Sequence, residues 1–270
     1  MKDRPWFCTT LPPSEFRRPS AYTRKNGEVP IQTGATVTGF AEYTNCEENC
    51  LVKLDPDIPY EVGSALACGF ISGFGAVINR CKVKMGDSVL VFGCGGVGLS
   101  AIQGARLCGS YPIVAIDLVD SKLTLAKRVG ASHTFNPKYC DVTAEVKKLL
   151  GFGADHTIVA TAGKNIKRQA IDMTAPYGQV CFIGHSTKEQ EMLYDVSAME
   201  LLTGMRLTGS VMGVVTLRRD LPRYMQLYKA GLIDIDCMLT NRYSLEQINE
   251  AFENAEHGGA LKNVVVIDPD

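Results

Sequence analysis

The stretch SVLVFGCGGVGLSAIQGARLCG, residues 88–109, limits what this chain can fold into more than any other. Residues 88–93 form an apolar run without polar alternation, as strands of a parallel sheet buried on both faces do. Gly93, Gly95 and Gly98 follow at G-x-G-x-x-G spacing, with Gly96 and Val97 inside the loop. Residues 98–109 then take up helical spacing and stop at Gly109. Gly93 permits a tight turn, Gly95 lets a bulky anion approach the backbone, and Gly98 lets the helix lie close to the strand. The free N–H groups at the helix start then face a phosphate.

The pattern repeats downstream. PIVAID, residues 112–117, reads as a second buried strand ending in Asp117, nineteen positions beyond Gly98. A carboxylate there accepts hydrogen bonds from both hydroxyls of an adenosine ribose and repels a 2′-phosphate. Loop and acid together therefore predict NAD as cofactor rather than NADP. Residues 121–131 predict a helix with Ser121 as N-cap. A third strand begins at HTFNP, and a helix follows over 142–151. Strands at 154–163 and 178–184 enclose a helix beginning at Lys164. Strands alternating with helices of this length imply a parallel sheet with right-handed crossovers, an α/β doubly wound Rossmann fold. A methyltransferase also uses a glycine loop and a second-strand acid. Its methyl donor carries no pyrophosphate to match the third glycine and the helix start, so that reading ranks second.

The flanks are less regular. Residues 1–35 read as extended segments and loops, and residues 38–54 suggest strands. Residues 59–79 read as a helix loosened by glycines, whose small residues suggest packing on something flat, a sheet or a ligand. After residue 184 a short helix (196–204) and a strand (205–213) precede two amphipathic helices, 219–233 and 244–258. In the second, Leu245, Ile248, Phe252 and Ala255 share a face. Residues 261–268 read as a final strand.

Composition excludes several classes. With 46% hydrophobic and 21% charged residues among 270, the chain reads as globular. A formal net charge of -1 gives no electrostatic case for nucleic acid or an anionic membrane. No apolar run is long enough to span a bilayer, and the N-terminus lacks the apolar core of a secretory signal. Ten cysteines scattered without a compact framework read as reduced thiols of a cytoplasmic protein, with Cys81 and Cys108 in or beside the core. Cys46 and Cys50 have C-x3-C spacing but no second pair nearby, and read as ordinary thiols rather than metal ligands. His133 and His156, at strand starts, read as capping or surface residues. His257 suits a helix C-terminus. His185 follows a strand's C-terminal end, where ligands bind in open sheets, and reads equally as a cofactor contact or a loop residue.

GDSVLVFGCGGVGLSAIQGARLCG, VAIDLVDSKLTLAKRVGA and CGFISGFGAV resemble the medium-chain dehydrogenase/reductase family, within it the zinc-dependent alcohol dehydrogenases, over nearly the whole chain. Residue by residue, the resemblance implies that Cys68 is a catalytic-zinc ligand and that Ser72 is a catalytic hydroxyl residue beside the nicotinamide. It implies that Asp117 and Lys122 hold the adenosine ribose, that Ile183 offers a backbone group to the nicotinamide amide, and that Lys262 reaches the pyrophosphate. Cys8 aligns with the last cysteine of a structural zinc lobe. The family's other zinc ligands precede the segment WFC and have no counterpart in this sequence, so zinc binding is left open.

The implied organisation is a remnant of a mainly-β catalytic domain (1–66), an NAD-binding Rossmann domain (67–211), and C-terminal helices and a strand completing the remnant (212–270). The implied activity is NAD-dependent oxidation or reduction of a small alcohol or aldehyde. The alternatives are a non-catalytic NAD(H)-binding protein and a zinc-free enzyme resembling quinone reductases. The family's sheet pairing, matched here by RLTGSVMGVV (206–215), implies a homodimer.

Overall fold

The computed structural model describes residues 39–44, 48–163, 165–184, 196–258 and 260–267. Cys8, Cys46, His185 and the segment 1–35 lie outside the described residues. Six strands form one sheet: β1 (Val89–Phe92), β2 (Ile113–Ile116), β3 (His133–Phe135), β4 (Ala154–Val159), β5 (Thr174–Phe182) and β6 (Arg206–Gly209). Their order is β3-β2-β1-β4-β5-β6, and every pairing is parallel. The apolar runs read from the sequence are thus the strands of a doubly wound sheet.

Alternation along the strands divides the core in two. Val89 and Val91 face one cluster and Leu90 and Phe92 the other, because successive strand residues point to opposite faces. The first cluster is covered by four helices: α1 (Tyr60–Cys81), α2 (Gly96–Leu107), α3 (Asp120–Val129) and, later in the chain, Leu217–Lys229. The second is covered by α4 (Val142–Leu150) and α5 (Ile166–Asp172). A short helix, α6 (Ala198–Leu202), leads into β6, and α7 (Leu217–Lys229) follows it. Beyond α7, β7 (Leu239–Ser244), α8 (Ile248–Glu256) and β8 (Lys262–Val266) form a separate two-stranded parallel unit.

The long helix α1 corrects two expectations. It spans 22 residues with a mean hydropathy of 1.6, so a run long and apolar enough to cross a bilayer does exist. Of that window 61% is buried inside the molecule, and Phe70, Ile71, Phe74 and Val77 belong to the larger core, so it packs as a core helix. Two of its glycines do not meet a sheet. They meet another helix and a turn. A Cβ on Gly73 would lie 1.9 Å from the Val97 carbonyl oxygen in α2, and one on Gly75 would lie 2.4 Å from Gly213 O. Ser100 Oγ donates to Val97 O at 2.8 Å and reaches Gly69 O at 3.4 Å, fastening the same crossing.

Other differences are local. Among the described residues of 38–54 there is no strand, only bends and one 3₁₀ turn at Glu48–Cys50. Asp120 opens α3 one residue ahead of Ser121, and Val119 holds the N-cap position without a side-chain hydrogen bond. Phe252 is exposed and meets the Phe40 ring edge-on rather than the core. His156 is buried, not a surface residue, and its Nε2 lies 3.0 Å from Asp87 Oδ2. Strand β7 was not legible, because its alternation is carried by mixed polar residues (LTNRYS).

Two glycine substitutions test the helix crossing. Gly73→Ala forces a Cβ into the α2 backbone and is expected to cost about 2 kcal/mol or more in urea unfolding. Gly69→Ala meets nothing within 4 Å. It is expected to be neutral or to stabilise by up to about 1 kcal/mol through helix propensity.

Candidate functional site

The site begins where β1 ends. Gly93 has φ +87, a left-handed value that favours glycine, and its N–H donates to Ile116 O at 2.8 Å. A Cβ on Gly98 would lie 1.7 Å from the Gly93 carbonyl oxygen, so α2 rests directly on the turn. Gly95 behaves differently. It caps α2 without a side-chain acceptor, and nothing lies within 4 Å of where its Cβ would be. Gly96 meets only Leu261 O, at 3.8 Å. The third glycine is therefore filled by the fold, while Gly95 fronts open space at the start of a twelve-residue helix. That geometry suits an anion held by backbone N–H groups.

Asp117 closes the same loop. Cys94 N donates to its Oδ2 at 2.7 Å and Val119 N to its Oδ1 at 2.9 Å. Each carboxylate oxygen keeps a second acceptor site. The loop residue Cys94 is fully buried, and burial first, then the Asp117 charge, pushes its thiol up to about 12. It is a packing residue and no nucleophile. Lys122, in the first turn of α3, stands near enough for its charge to oppose that rise.

Three further segments converge on the loop. Helix α1 crosses the first turn of α2 at Gly69–Gly73, which brings Cys68 and Ser72 to the edge of the loop. Cys68 is exposed and sits in a π-helical turn, Leu66–Phe70, whereas Ser72 is buried. The start of β8 overhangs Gly96 through Leu261, and this places Lys262 beside the loop. At the end of β5, Ile183 N donates to Val159 O at 2.9 Å.

The crevice between β1 and β4 is where the strand order reverses, the usual ligand position in an open α/β sheet. Sequence reasoning missed Thr161, which lines it. Its Cβ lies 2.8 Å from a Cβ built on Gly93, and its carbonyl oxygen lies 2.9 Å from one built on Gly184. The small-residue run ATAG after an apolar strand was the available signal.

The metal expectation fares differently. Among the described residues, no group of three or more His, Cys, Asp or Glu could hold a metal ion. Cys68 has no such companions there, so the described residues do not fit a zinc ion.

The chain matches the family model described as "Zinc-binding dehydrogenase" over residues 96–230. It is 34% identical over 236 residues to S-(hydroxymethyl)glutathione dehydrogenase of Paracoccus denitrificans, covering 84% of this chain and 62% of that protein. It is 36% identical over 245 residues to the Escherichia coli O1:K1 / APEC protein of the same name, covering 89% and 65%. Among solved structures, benzyl alcohol dehydrogenase from Acinetobacter calcoaceticus superposes with a TM-score of 0.81 at 30% identity, covering 91% of this chain and 68% of that one. The chain thus spans less than two thirds of the length of the two S-(hydroxymethyl)glutathione dehydrogenases.

The two loop glycines separate packing from ligand space. Gly98→Ala is expected to lose more than about 2 kcal/mol of stability by overpacking. Gly95→Ala is expected to stay within about 0.5 kcal/mol of the parent in the same unfolding titration.

Proposed function

Because the chain belongs to the medium-chain, zinc-binding dehydrogenase family, we propose that it is the NAD(H)-binding part of an oxidoreductase acting on a small alcohol or aldehyde. The observation that carries this reading is the open cradle at Gly95 with Asp117 fixed beside it. When bound, NAD supplies the site where hydride is accepted or released.

The chain's own residues divide the work of holding it. The α2 amides and the Lys262 ammonium meet the pyrophosphate. The Asp117 carboxylate, oriented by the Cys94 and Val119 N–H groups, accepts from the ribose hydroxyls, with Lys122 beside it. The Ile183 N–H is spent on Val159, so its carbonyl is the group offered to the nicotinamide amide. Ser72 and Cys68 border the nicotinamide end. Orientation of this kind brings the reacting carbon and the ring to transfer distance, where most of the protein's contribution lies.

Among the described residues, Cys68 has no companions that would complete a zinc site. The same observation favours a second reading, an NAD(H)-binding protein without zinc-dependent turnover. In either case β6 is one of the two edge strands of the sheet among the described residues, and an edge strand invites pairing with a second copy. A cytoplasmic homodimer is the assembly we propose.

Titration of NADH fluorescence tests the reading. The protein is expected to bind NADH at least about tenfold more tightly than NADPH, a difference of about 1.4 kcal/mol. Asp117→Asn removes one acceptor and the charge. It is expected to weaken NADH about tenfold or more and to narrow the gap to NADPH. Equal affinity for the two cofactors in the parent protein overturns the role given to Asp117.

A further inference from the structure

A second cavity lies at the opposite end of the sheet, and nothing in the cofactor site uses it. It has a volume of about 610 Å³, within the range of small-molecule sites. The last turn of α1 (Arg80, Cys81), the segment Lys82–Asp87 and the starts of β4 and β6 (His156, Arg206) form its walls.

Its charge is unbalanced. Arg80, Lys82, Lys84 and Arg206 all line it. Two carboxylates also line it, and both are held by neighbouring groups other than the Arg or Lys side chains. Asp87 Oδ2 accepts from Lys84 N at 2.8 Å and lies 3.0 Å from His156 Nε2. Asp155 Oδ2 accepts from Ser88 N at 2.8 Å and Ser88 Oγ at 2.7 Å. The contrast with the rest of the molecule is informative. Arg128, Arg168, Arg218, Arg219, Arg223 and Arg242 each make an ion pair, and Arg106 donates to Leu232 O. Arg80 and Arg206 are the two arginines among the described residues with no hydrogen bond or ion pair, and they share this cavity.

Backbone strain gathers at the same place. Five non-glycine residues among the described ones have positive φ, and three of them, Lys82 (φ 54), Tyr177 (φ 61) and Val214 (φ 53), line the cavity. For a β-branched residue such as Val214 that conformation is a true outlier. Strain of this kind clusters at ligand clamps, where the fold over-determines it. Asn79 Nδ2 donates to Gly213 O at 3.2 Å and ties the strained turn to α1.

We propose that this cavity binds a small phosphate-bearing anion, gripped by the guanidinium groups of Arg80 and Arg206 with Lys82 and Lys84 adding charge. Planar guanidinium forks match the oxygens of a phosphate in bidentate fashion, and two forks with two ammonium groups suit a doubly charged phosphomonoester. The site is separate from the glycine loop, so its occupancy does not depend on the cofactor reading.

Inorganic phosphate is the probe, titrated against the full chain at constant ionic strength set with chloride, with thermal unfolding as readout, without and with saturating NADH. The expected result is a saturable rise in Tm that persists with NADH present. Arg80→Gln and Arg206→Gln are each expected to weaken apparent phosphate affinity at least fivefold while keeping the parent's NADH affinity. Should Arg206→Gln fail to fold, Arg80→Gln and Lys84→Gln carry the same expectation. A phosphate response abolished by NADH would assign the anion to the glycine loop and overturn the proposal. So would an absent response, or folded variants that respond as the parent does.

Discussion

A Cβ on Gly98 would stand 1.7 Å from the Gly93 carbonyl oxygen, and one on Gly73 would stand 1.9 Å from the Val97 carbonyl oxygen. These two backbone approaches, at the neighbouring α2 residues Gly98 and Val97, organise the rest. The first sets α2 on the end of β1, so that its opening amides face the crevice between β1 and β4. The second seats α1 across the same turn, which brings Cys68 and Ser72 to the crevice. Neither contact adds much attraction by itself. Their effect is geometric, since each forbids any side chain at one position and thereby fixes where three elements meet.

Much of this was legible because the interactions are local or periodic. Strands β1 and β2 announce themselves as unbroken apolar runs, since both their faces are buried. The glycine spacing and Asp117 fall within a single βαβ unit, so their relation follows from chain connectivity. What depends on distant partners was not legible. Val119 in place of Ser121 at the start of α3, the polar strand β7, and the burial of His156 against Asp87 are set by tertiary contacts without a local signature. The extent of α1 was legible, but what its small residues meet was not. Its glycines read as loosening the helix against something flat, whereas Gly73 is a contact that lets a continuous helix pack against α2.

The two ends of the sheet carry different chemistry. At the carboxyl ends of the strands the groups that matter are backbone amides, one fixed carboxylate and a crevice. At the amino ends, unpaired cations and strained backbone surround a cavity. Helix α1 runs from one to the other, with Cys68 near its middle and Arg80 in its last turn. Both ends suit phosphate chemistry, but by different means. The glycine loop offers aligned N–H groups with no net charge, whereas the far cavity offers charge with little backbone.

The most direct test of the account is a crystal structure of the chain with NADH bound. The account predicts the pyrophosphate against the Gly95–Val97 amides, the adenosine ribose on Asp117 and the nicotinamide between Ser72 and Ile183. A dinucleotide bound elsewhere on the sheet, or a ribose that makes no hydrogen bond to Asp117, would contradict it.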